Sequence, residues 1–514
     1  MVATVESHDQ HGAVVSGLIR VDLDRAIGTV DRRIFGAFIE HLGRCIYGGI
    51  FDEGSALSDA HGFRQDVLRE VKALKPPVLR WPGGNFVSGY HWTDGIGPRD
   101  KRPRRIELAW GSEEPNRFGT DEFIAYCRAV GTEPYICVNM GTGTMDEAQA
   151  WVEYCNGTGD TFWANQRRAN GHAEPYGVRY WGLGNEMYGE WQLGSMSANE
   201  YVAAARRFAK IMLATDPTIE LVSCGQSGYQ EWDRIVLDGM ADLVRYHSIH
   251  IYTGSGDFLQ NVLQVQQADR ALRLCEALIE RVRYLHKITR RIGIAYDEWN
   301  VWYRTRGAVG RQQGLEEQYN LSDALAVAGF LNIFIRHCRW VDMANIAQLV
   351  NVIAPIFTNA EGLFPQTIYH PLRLFVEHTQ PVALDPLVMS PLLDFDERPA
   401  ATPTDRGYTV ADLGPFQALD VTVTRSEDRS DLTVAVVNRH PEDAVETSIE
   451  IVGGTVGQHA KVHEVNGPSV TSTNSFAEPS VVGVTEHVLE DAGQSLRYTF
   501  PSHSLTVLRL VVDG

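Results

Sequence analysis

The feature that most constrains the fold is a regular alternation of short apolar runs and longer amphipathic stretches between about residues 34 and 351. The runs are rich in Val, Ile and Tyr and close with Gly, Asn or Glu, which is typical of buried parallel strands. Eight can be counted: Ile34–His41, Val78–Gly84, Glu133–Gly141, Val178–Glu186, Ile219–Gly225, Leu243–Tyr252, Ile292–Asn300 and Asn345–Asn351. This α/β pattern predicts a (β/α)8 TIM barrel, with a doubly wound open sheet as the main alternative.

The stretches between these runs carry helical signals. Ser197 precedes the run Glu200–Leu213, and Glu200 stands three residues later, the pattern of a capping box. Leu259–Ile288 and Glu316–Arg336 have apolar residues at helical spacing. The spacing therefore predicts helices that connect the barrel strands.

After about residue 384 the pattern changes to short strands of alternating polarity. They are Ala418–Thr424, Leu432–Val437, Glu446–Ile451, Leu496–Phe500 and Leu505–Val512. These predict a jelly-roll-like β-sandwich, and the alternating run Leu18–Leu23 is expected to pair with it. The predicted division is a catalytic barrel over residues 25–383 and a discontinuous accessory sandwich formed by 1–24 plus 384–514.

Composition excludes several classes of protein. The chain has 514 residues, with 46 Lys and Arg against 65 Asp and Glu, a net charge of −19. Such a surface repels nucleic acid and anionic membranes, so neither is expected as a partner. The seven cysteines are scattered and form no CxxC pair, which favours reduced thiols over a disulfide framework. With no signal-peptide pattern and no membrane-spanning run, a cytoplasmic location is expected.

Two strand-like runs deliver a glutamate at their C-terminal ends. Glu186 ends Trp181-Gly182-Leu183-Gly184-Asn185-Glu186 on the fourth predicted strand, and Glu298 lies in Tyr296-Asp297-Glu298-Trp299-Asn300 on the seventh. Strands four and seven face each other across a barrel mouth, where active sites of this fold lie. Two carboxyls placed there suit cleavage of a glycosidic bond, whereas ordinary surface carboxylates are the alternative interpretation.

Other polar residues end the remaining strands and are expected at the same rim. A ring of polar groups in a barrel mouth is costly unless it binds something, so the set predicts a pocket for a polyhydroxylated ligand. For His250 alone, a satisfied structural hydrogen bond is an equal alternative. The rim residues are Glu40, His41, Arg80, Asn85, Asn139, His250, Tyr252, Gln348 and Asn351.

Four tryptophans, Trp81, Trp110, Trp299 and Trp302, could supply an apolar wall for a sugar, although Trp110 is equally compatible with a core position. The loop 95–115 around Trp110 could shape the leaving-group site, with a solvated surface loop as the alternative.

Motifs for other chemistries are missing from the sequence. There is no HExxH, no P-loop and no complete nucleophile elbow. His247 and His250 stand three apart on a strand and point to opposite faces. We therefore expect no catalytic metal and no cofactor.

The segments Phe35–His41, Arg80–Asn85, Gly184–Glu186 and Asp297–Asn300 together resemble those of the glycoside hydrolase family 51 α-L-arabinofuranosidases. The resemblance extends into the C-terminal sandwich and covers nearly the whole chain. It implies an exo-acting, retaining hydrolase that removes terminal arabinofuranosyl residues from arabinose-containing oligo- and polysaccharides, commonly as a hexamer. In it Glu186 matches the general acid/base and Glu298 the nucleophile. Residues expected to hold the sugar or orient Glu298 are Glu40, Arg80, Asn85, Asn185, His250, Tyr252, Trp302 and Gln348.

Two further expectations concern Glu186 and Asn185. The charge of Glu298 should raise the pKa of Glu186, and Asn185 should bond the 2-hydroxyl of the sugar.

The rival functions are another retaining glycosidase of the same clan, such as an endo-β-glucanase or β-xylosidase, and a carbohydrate-binding or scaffold protein without catalysis. The sequence leaves the linkage and the polymer open: xylan, arabinan and short oligosaccharides are all compatible.

Overall fold

The structure is a computed structural model that describes residues 15–304, 315–395, 409–490, 492–493 and 495–513. The N-terminal tail before Val15, to which the sequence assigned no role, lies outside the described residues. Among those residues, no helix is both long enough and apolar enough to cross a membrane.

Eight parallel strands close into a barrel, which confirms the predicted fold. Their order around the barrel is their order in the chain, and the last pairs with the first through Asn345 opposite Gly36. The strands are Gly36–Phe38, Val78–Trp81, Glu133–Val138, Tyr180–Leu183, Glu220–Ser223, Tyr246–Thr253, Gly293–Val301 and Val341–Ala347. We refer to them as barrel strands one to eight.

Barrel strand eight starts four residues earlier than the sequence predicted. The reason is Asp342, a charged residue that interrupts the apolar pattern at the start of the strand. Its carboxylate pairs with Arg291 at the N-terminal end of the barrel, so the charge is compensated where it lies.

Helices follow the strands and cover the barrel from outside. The capping box forms as predicted, because the Glu200 backbone donates to Ser197 Oγ and the Ser197 backbone donates to Glu200 Oε2 at 2.9 Å. The helices are Gln65–Leu74, Thr120–Val130, Met145–Asn156, Phe162–Ala169, Ala198–Thr215, Glu231–Met240, Phe258–Leu263, Gln266–His286, Leu321–Arg336 and Tyr369–His378.

The helix Leu321–Arg336 joins the barrel to the second unit. All of its residues from Leu321 to Ile335 are buried. The Thr422 hydroxyl donates a hydrogen bond to Asn332 Oδ1 at 2.6 Å, and Arg336 forms an ion pair with Asp420 at 2.7 Å. The helix is therefore fixed against the sandwich as well as the barrel.

The second unit is a β-sandwich of two sheets, as predicted. The smaller sheet has the order Leu387–Met389, Val15–Asp22, Val445–Val452 and Ser495–Phe500. The larger has the order Ala26–Thr29, Val382–Leu384, Leu419–Arg425, Asp431–Asn438, Ser504–Asp513, Thr455–Asn466 and Gly483–Leu489. Ile19, Val434, Ile449 and Leu508 are among the residues that fill the space between them.

The N-terminal strand pairs with the sandwich, in parallel with Val445–Val452. Two strands of the larger sheet, Thr455–Asn466 and Gly483–Leu489, had no place in the sequence-based prediction. A register shift between Val456 and Ala460 breaks the alternation of the first, and exposed polar residues dominate the second.

The boundary between the two units stays a prediction. Ala26–Thr29 and most of Val382–Leu384 fall inside the predicted barrel range 25–383, yet the two strands pair with each other, and Val382–Leu384 also pairs with Leu419–Arg425 of the sandwich. If these two strands are assigned to the sandwich with which they pair, the barrel covers about residues 30–381.

Candidate active site

Glu186 and Glu298 meet at the C-terminal ends of barrel strands four and seven. Glu298 lies inside its strand, whereas Glu186 lies three residues past the end of its own, after Gly184 at φ +77°. Glu186 itself has φ +44°, a left-handed conformation that costs a non-glycine residue energy. The turn thereby aims the Glu186 carboxylate into the barrel mouth.

Two donors fix the carboxylate of Glu298. Arg80 Nη1 donates to its Oε1 at 2.7 Å, and the Tyr252 hydroxyl donates to its Oε2 at 2.9 Å. Both oxygens of this carboxylate, which belongs to a residue only 5% exposed, are therefore held by donors in fixed positions.

The carboxylate of Glu186 has a different set of neighbours. Its Oε1 accepts from His250 Nδ1 at 3.0 Å and from the Tyr188 hydroxyl at 3.2 Å, while its Oε2 accepts from Trp191 Nε1 at 2.9 Å. Tyr188 and Trp191 both belong to the loop that follows barrel strand four.

His250 lies between acidic groups on two sides. Nδ1 faces Glu186, and Nε2 lies 3.2 Å from Asp297 Oδ1. Burial opposes its charge, but the nearby Glu298, Asp297 and Glu186 outweigh burial and raise the pKa of His250 to about 10. The ring is therefore an imidazolium at neutral pH.

This arrangement contradicts the expectation for the pKa of Glu186. Burial acts to raise it, but the hydrogen bond and charge of His250, with the donors Trp191 and Tyr188, hold the pKa of Glu186 below its usual value. The sequence argument considered only the repulsion from Glu298 and missed the cation between the two carboxylates. The positive charge of His250 thus favours the carboxylate form of Glu186.

Glu186, His250 and Glu298 have the composition of a metal site. One ligand-type atom from each lies within 4.8 Å of the others. However, both nitrogens of His250 already bond to carboxylates, Nδ1 to Glu186 and Nε2 to Asp297. The donor set therefore fits a metal poorly.

Glu40 is a third buried carboxyl at the same end of the barrel. Its Oε1 accepts from the Phe86 backbone at 3.0 Å and Trp110 Nε1 at 3.1 Å, and its Oε2 from Gln348 Nε2 at 3.2 Å. Burial, helped by the charge of Glu298, raises the pKa of Glu40 to about 7 despite these donors.

Asn185 is held from below by Arg80. Arg80 Nη2 donates to its Oδ1 at 2.6 Å, which fixes the orientation of the amide. Its Nδ2 is buried and has no hydrogen-bond partner within the described part of the chain. A buried unpaired donor is costly, so this atom is suited to an acceptor on a ligand.

These groups surround a cavity of about 510 Å³. Of the ten residues predicted for the site, eight line it: Glu40, Asn85, Glu186, His250, Tyr252, Glu298, Trp302 and Gln348. The other two, Arg80 and Asn185, lie beneath the lining and bond to it or to each other. The structure thus brings all ten together.

Several other predicted rim residues have structural roles. The prediction that Trp81 and Trp299 line the cavity was wrong, because both are fully buried. Trp81 donates to His41, and Trp299 packs on Phe330 and Phe334. Their side chains point into the layer between strands and helices instead of the mouth.

Three more rim residues bond to the protein itself. Of these, His41 pairs with Glu114 at 2.9 Å. Asn139 caps its own loop through Gly141 and Thr142, and Asn351 bonds to Thr358.

Trp110 does line the cavity. It lies at the turn of the hairpin formed by Arg105–Glu107 and Ser112–Glu114, within the loop 95–115. Glu107 accepts from the backbones of Ala109 and Trp110 and so holds the turn in place. The loop therefore shapes the cavity through one side chain.

The sequence reasoning missed Tyr188, Trp191, Ser227, Tyr229 and Gln267, which also line the cavity. They lie in loops or at the start of a helix, where no periodicity marks them. The one available signal was the two aromatics Tyr188 and Trp191, two and five residues after Glu186.

Comparison with known proteins gives consistent matches. Two family models match, the alpha-L-arabinofuranosidase 1 domain over residues 70–270 and the alpha-L-arabinofuranosidase C-terminal domain over 297–504. Alpha-L-arabinofuranosidase C of Emericella nidulans is 43% identical over 506 residues, covering 96% of this chain and 97% of its own. The intracellular exo-alpha-(1->5)-L-arabinofuranosidase 1 of Bacillus subtilis is 37% identical over 505 residues, 95% and 98% of the two chains. The solved structure of the GH51 alpha-L-arabinofuranosidase from Thermotoga petrophila has 43% identity and a TM-score of 0.87, covering 96% of this chain and 99% of that one.

Proposed function

Because this chain belongs to glycoside hydrolase family 51, the family of its α-L-arabinofuranosidase relatives, we propose that it removes terminal α-L-arabinofuranosyl residues by a retaining double displacement. Glu298 is the nucleophile, Glu186 the general acid and base, and the intermediate is a covalent arabinosyl–enzyme.

The observation that carries this proposal is the short separation of the two carboxylates. An oxygen of Glu186 and an oxygen of Glu298 lie within 4.8 Å. Retaining glycosidases hold their carboxyl groups about 5–5.5 Å apart, whereas inverting enzymes need roughly 6.5–9.5 Å to admit a water molecule. The separation supports direct attack by one carboxylate.

The surroundings separate the roles of the two glutamates. Arg80 and Tyr252 each donate to one oxygen of Glu298, which orients this carboxylate as a nucleophile requires. Glu186 can receive the proton of His250 across 3.0 Å and pass it to the departing oxygen. In the second step Glu186, again a carboxylate, takes a proton from the attacking water.

The cavity floor is suited to a single hydroxyl-rich ring. Asn185 Nδ2 is free to donate to the 2-hydroxyl, a contact that strengthens in the transition state. Glu40 and Gln348 offer further polar atoms, and Trp110 and Trp302 offer apolar surface. Because the pocket is closed at its inner end by buried side chains, it can take the terminal sugar of a substrate but not an internal one. This supports exo action.

The test is the anomeric configuration of the first product, followed by NMR. We expect arabinose to appear first as the α-anomer and Glu298→Ala to be inactive on aryl arabinofuranosides. Glu186→Ala should lose about 10²–10⁴-fold on poor leaving groups and much less on good ones. Glu200→Gln, which alters the other Asn-Glu dipeptide, is the matched control. A β-anomer first, or wild-type rates for Glu298→Ala, would refute the assignment.

The linkage is the finer part of the proposal. The Bacillus subtilis relative is named for exo-α-(1→5) cleavage, so we take α-1,5-linked arabino-oligosaccharides as the first candidate, with xylan- and arabinan-borne side chains as alternatives. Arabinose release from defined, singly substituted oligosaccharides distinguishes them. Binding of these sugars without release would instead favour the non-catalytic alternative.

Assembly and location remain proposals. The hexamer rests on the family resemblance, and light scattering of the purified chain tests it. A cytoplasmic location is supported by the name of the same Bacillus relative, which is called intracellular.

A further inference from the structure

Asp297 is the half of the Asp297-Glu298 pair that the proposed mechanism does not use. It is 2% exposed and directly precedes the proposed nucleophile on barrel strand seven. A carboxylate at such depth is costly unless donors and cations compensate it. A buried charge beside the reacting groups therefore needs an explanation.

Three groups from three other barrel strands compensate the carboxylate of Asp297. On one side, its Oδ1 lies 3.2 Å from His250 Nε2. On the other, its Oδ2 accepts from the Tyr135 hydroxyl at 2.8 Å and lies 3.6 Å from Arg80 Nε. Burial alone would raise the pKa of Asp297, but Arg80 and His250 hold this pKa below its usual value. Asp297 is therefore a carboxylate with one oxygen committed to the ring of His250.

The ring of His250 carries this contact to the proposed acid/base. Nε2 faces Asp297 and Nδ1 lies 3.0 Å from Glu186 Oε1, so one imidazole joins the two carboxylates. A neutral imidazole has one N–H proton, and a carboxylate at Nε2 keeps that proton on Nε2. Nδ1, which faces Glu186, is then the nitrogen that gives up a proton and takes it back.

The charges around His250 differ between its two nitrogens. Glu186 and Glu298 lie on the Nδ1 side, at 3.0 and 3.6 Å, and Asp297 lies on the Nε2 side. The thiol of Cys224, just past barrel strand five, is uncharged because burial raises its pKa. Removing the charge of Asp297 therefore weakens the hold on the ring protons from the Nε2 side.

The two steps of the proposed reaction use this ring in opposite directions. In the first, a proton passes from His250 Nδ1 to Glu186 and on to the oxygen of the leaving group, which departs as an alcohol. In the second, Glu186 takes a proton from the attacking water, and Nδ1 recovers it. The Nε2 proton stays with Asp297 throughout, so the ring returns to its starting state after each cycle.

We propose that Asp297 is a positioning residue for acid/base catalysis, which fixes the orientation and the tautomer of His250 and so keeps Nδ1 able to exchange a proton with Glu186. This role rests on the proposed function and deepens it. It matters for substrates whose leaving group needs a proton, such as the alcohol of a sugar, and not for those whose leaving group departs unprotonated.

The test is Asp297→Asn, which keeps the shape of the side chain. Tyr135 and Arg80 both present donors on the Oδ2 side, so the amide oxygen takes that side and the amide NH2 faces His250. A donor facing Nε2 requires a bare nitrogen there. The ring proton is then on Nδ1, and the pKa of His250 falls because the ring has lost an adjacent negative charge.

For Asp297→Asn, we expect kcat/KM on methyl α-L-arabinofuranoside to fall about 100-fold at neutral pH. On 2,4-dinitrophenyl α-L-arabinofuranoside kcat/KM should change little, because that group leaves without a proton. The alkaline limb of the kcat/KM profile on the methyl arabinoside should move to lower pH by about 1 unit or more. Equal losses on the two substrates, or an unmoved alkaline limb, would overturn the role of Asp297.

Asp233→Asn is the matched control. Asp233 pairs at 3.0 Å with Nε2 of His247, a fully buried histidine on the same barrel strand as His250. The same substitution there removes a buried carboxylate from a histidine that faces away from Glu186, so any loss should be equal on the two substrates. A loss confined to the methyl arabinoside in Asp233→Asn would show that the selectivity does not come from Asp297.

If Asp297→Asn fails to fold, Tyr135→Phe tests the same contact from the other side. It removes a donor from Asp297, whose charge then acts more fully on His250, so the alkaline limb should move to higher pH. An alkaline limb that stays in place or moves to lower pH would overturn the proposal. Full activity of Glu298→Ala is a separate outcome that would refute the proposed function itself.

Discussion

Replacing Glu40 with glutamine should make the protein less sensitive to alkaline pH. Glu40 is 2% exposed, and burial raises the pKa of its carboxyl from the usual 4.5 to about 7. The folded chain thus binds this proton more tightly than the unfolded chain does. Its contribution to stability is present in full below pH 4.5 and is lost as the pH rises through 7.

The size of the effect follows from the two pKa values. The full shift corresponds to about 3 kcal/mol, of which about 2 kcal/mol is lost between pH 5.5 and pH 8. A chain of this length unfolds with an entropy of about 1 kcal/mol per kelvin. We therefore expect the Tm of the wild type to fall by about 2 °C relative to Glu40→Gln over that interval.

Differential scanning fluorimetry of both proteins at pH 5.5 and 8 measures this difference, and effects of other groups cancel between them. Glu122→Gln is the control, because hydrogen bonds and charge from Arg102 outweigh burial and lower the pKa of Glu122. Above pH 5.5 the Glu122 carboxyl is ionised in both the folded and the unfolded chain. The Tm difference between the wild type and Glu122→Gln should therefore not change with pH. If the Tm difference between the wild type and Glu40→Gln is also the same at pH 5.5 and 8, the reasoning is refuted.

Three further predictions follow from the site. Arg80→Met removes one of the two cations beside Asp297 and Glu298 and leaves only His250; it should lower stability by about 3 kcal/mol, seen as a Tm lower by about 3 °C, and an unchanged Tm would contradict this. Asn185→Ala should lower kcat/KM on arabinofuranosides by about 10–100-fold and hardly affect kcat/KM on 2-deoxy substrates. Equal losses on both would show that Asn185 does not bond the 2-hydroxyl. Dialysis against EDTA should leave activity unchanged, since both nitrogens of His250 bond to carboxylates; loss restored by a divalent cation would show that these residues bind a metal.

The barrel and its paired glutamates could be predicted from sequence because strand ends are marked locally. Glu186 and Glu298 each follow an apolar run, and the order of strands places them opposite each other. The same reasoning gave the sandwich and the pairing of its N-terminal strand. These features depend on periodicity, which a single sequence contains.

The errors have two different causes. Trp81 and Trp299 were considered as walls for a sugar, but each adjoins a site residue on its strand, and neighbours on a strand point to opposite faces. The pKa of Glu186 was expected to rise because nothing in the sequence places His250 between Glu186 and Asp297. Trp191 was missed because a loop residue has no pattern that reports its contacts.

The N-terminal strand has a consequence for biosynthesis. Val15 pairs with Val445, about 430 residues later, and its other partner strand ends at Met389. At roughly 5–20 residues per second on a ribosome, the first strand waits about 20–90 s for its parallel neighbour. During that time its unpaired edge can join another nascent chain. Slow translation or crowded polysomes should therefore promote aggregation of this protein through the strand Val15–Asp22.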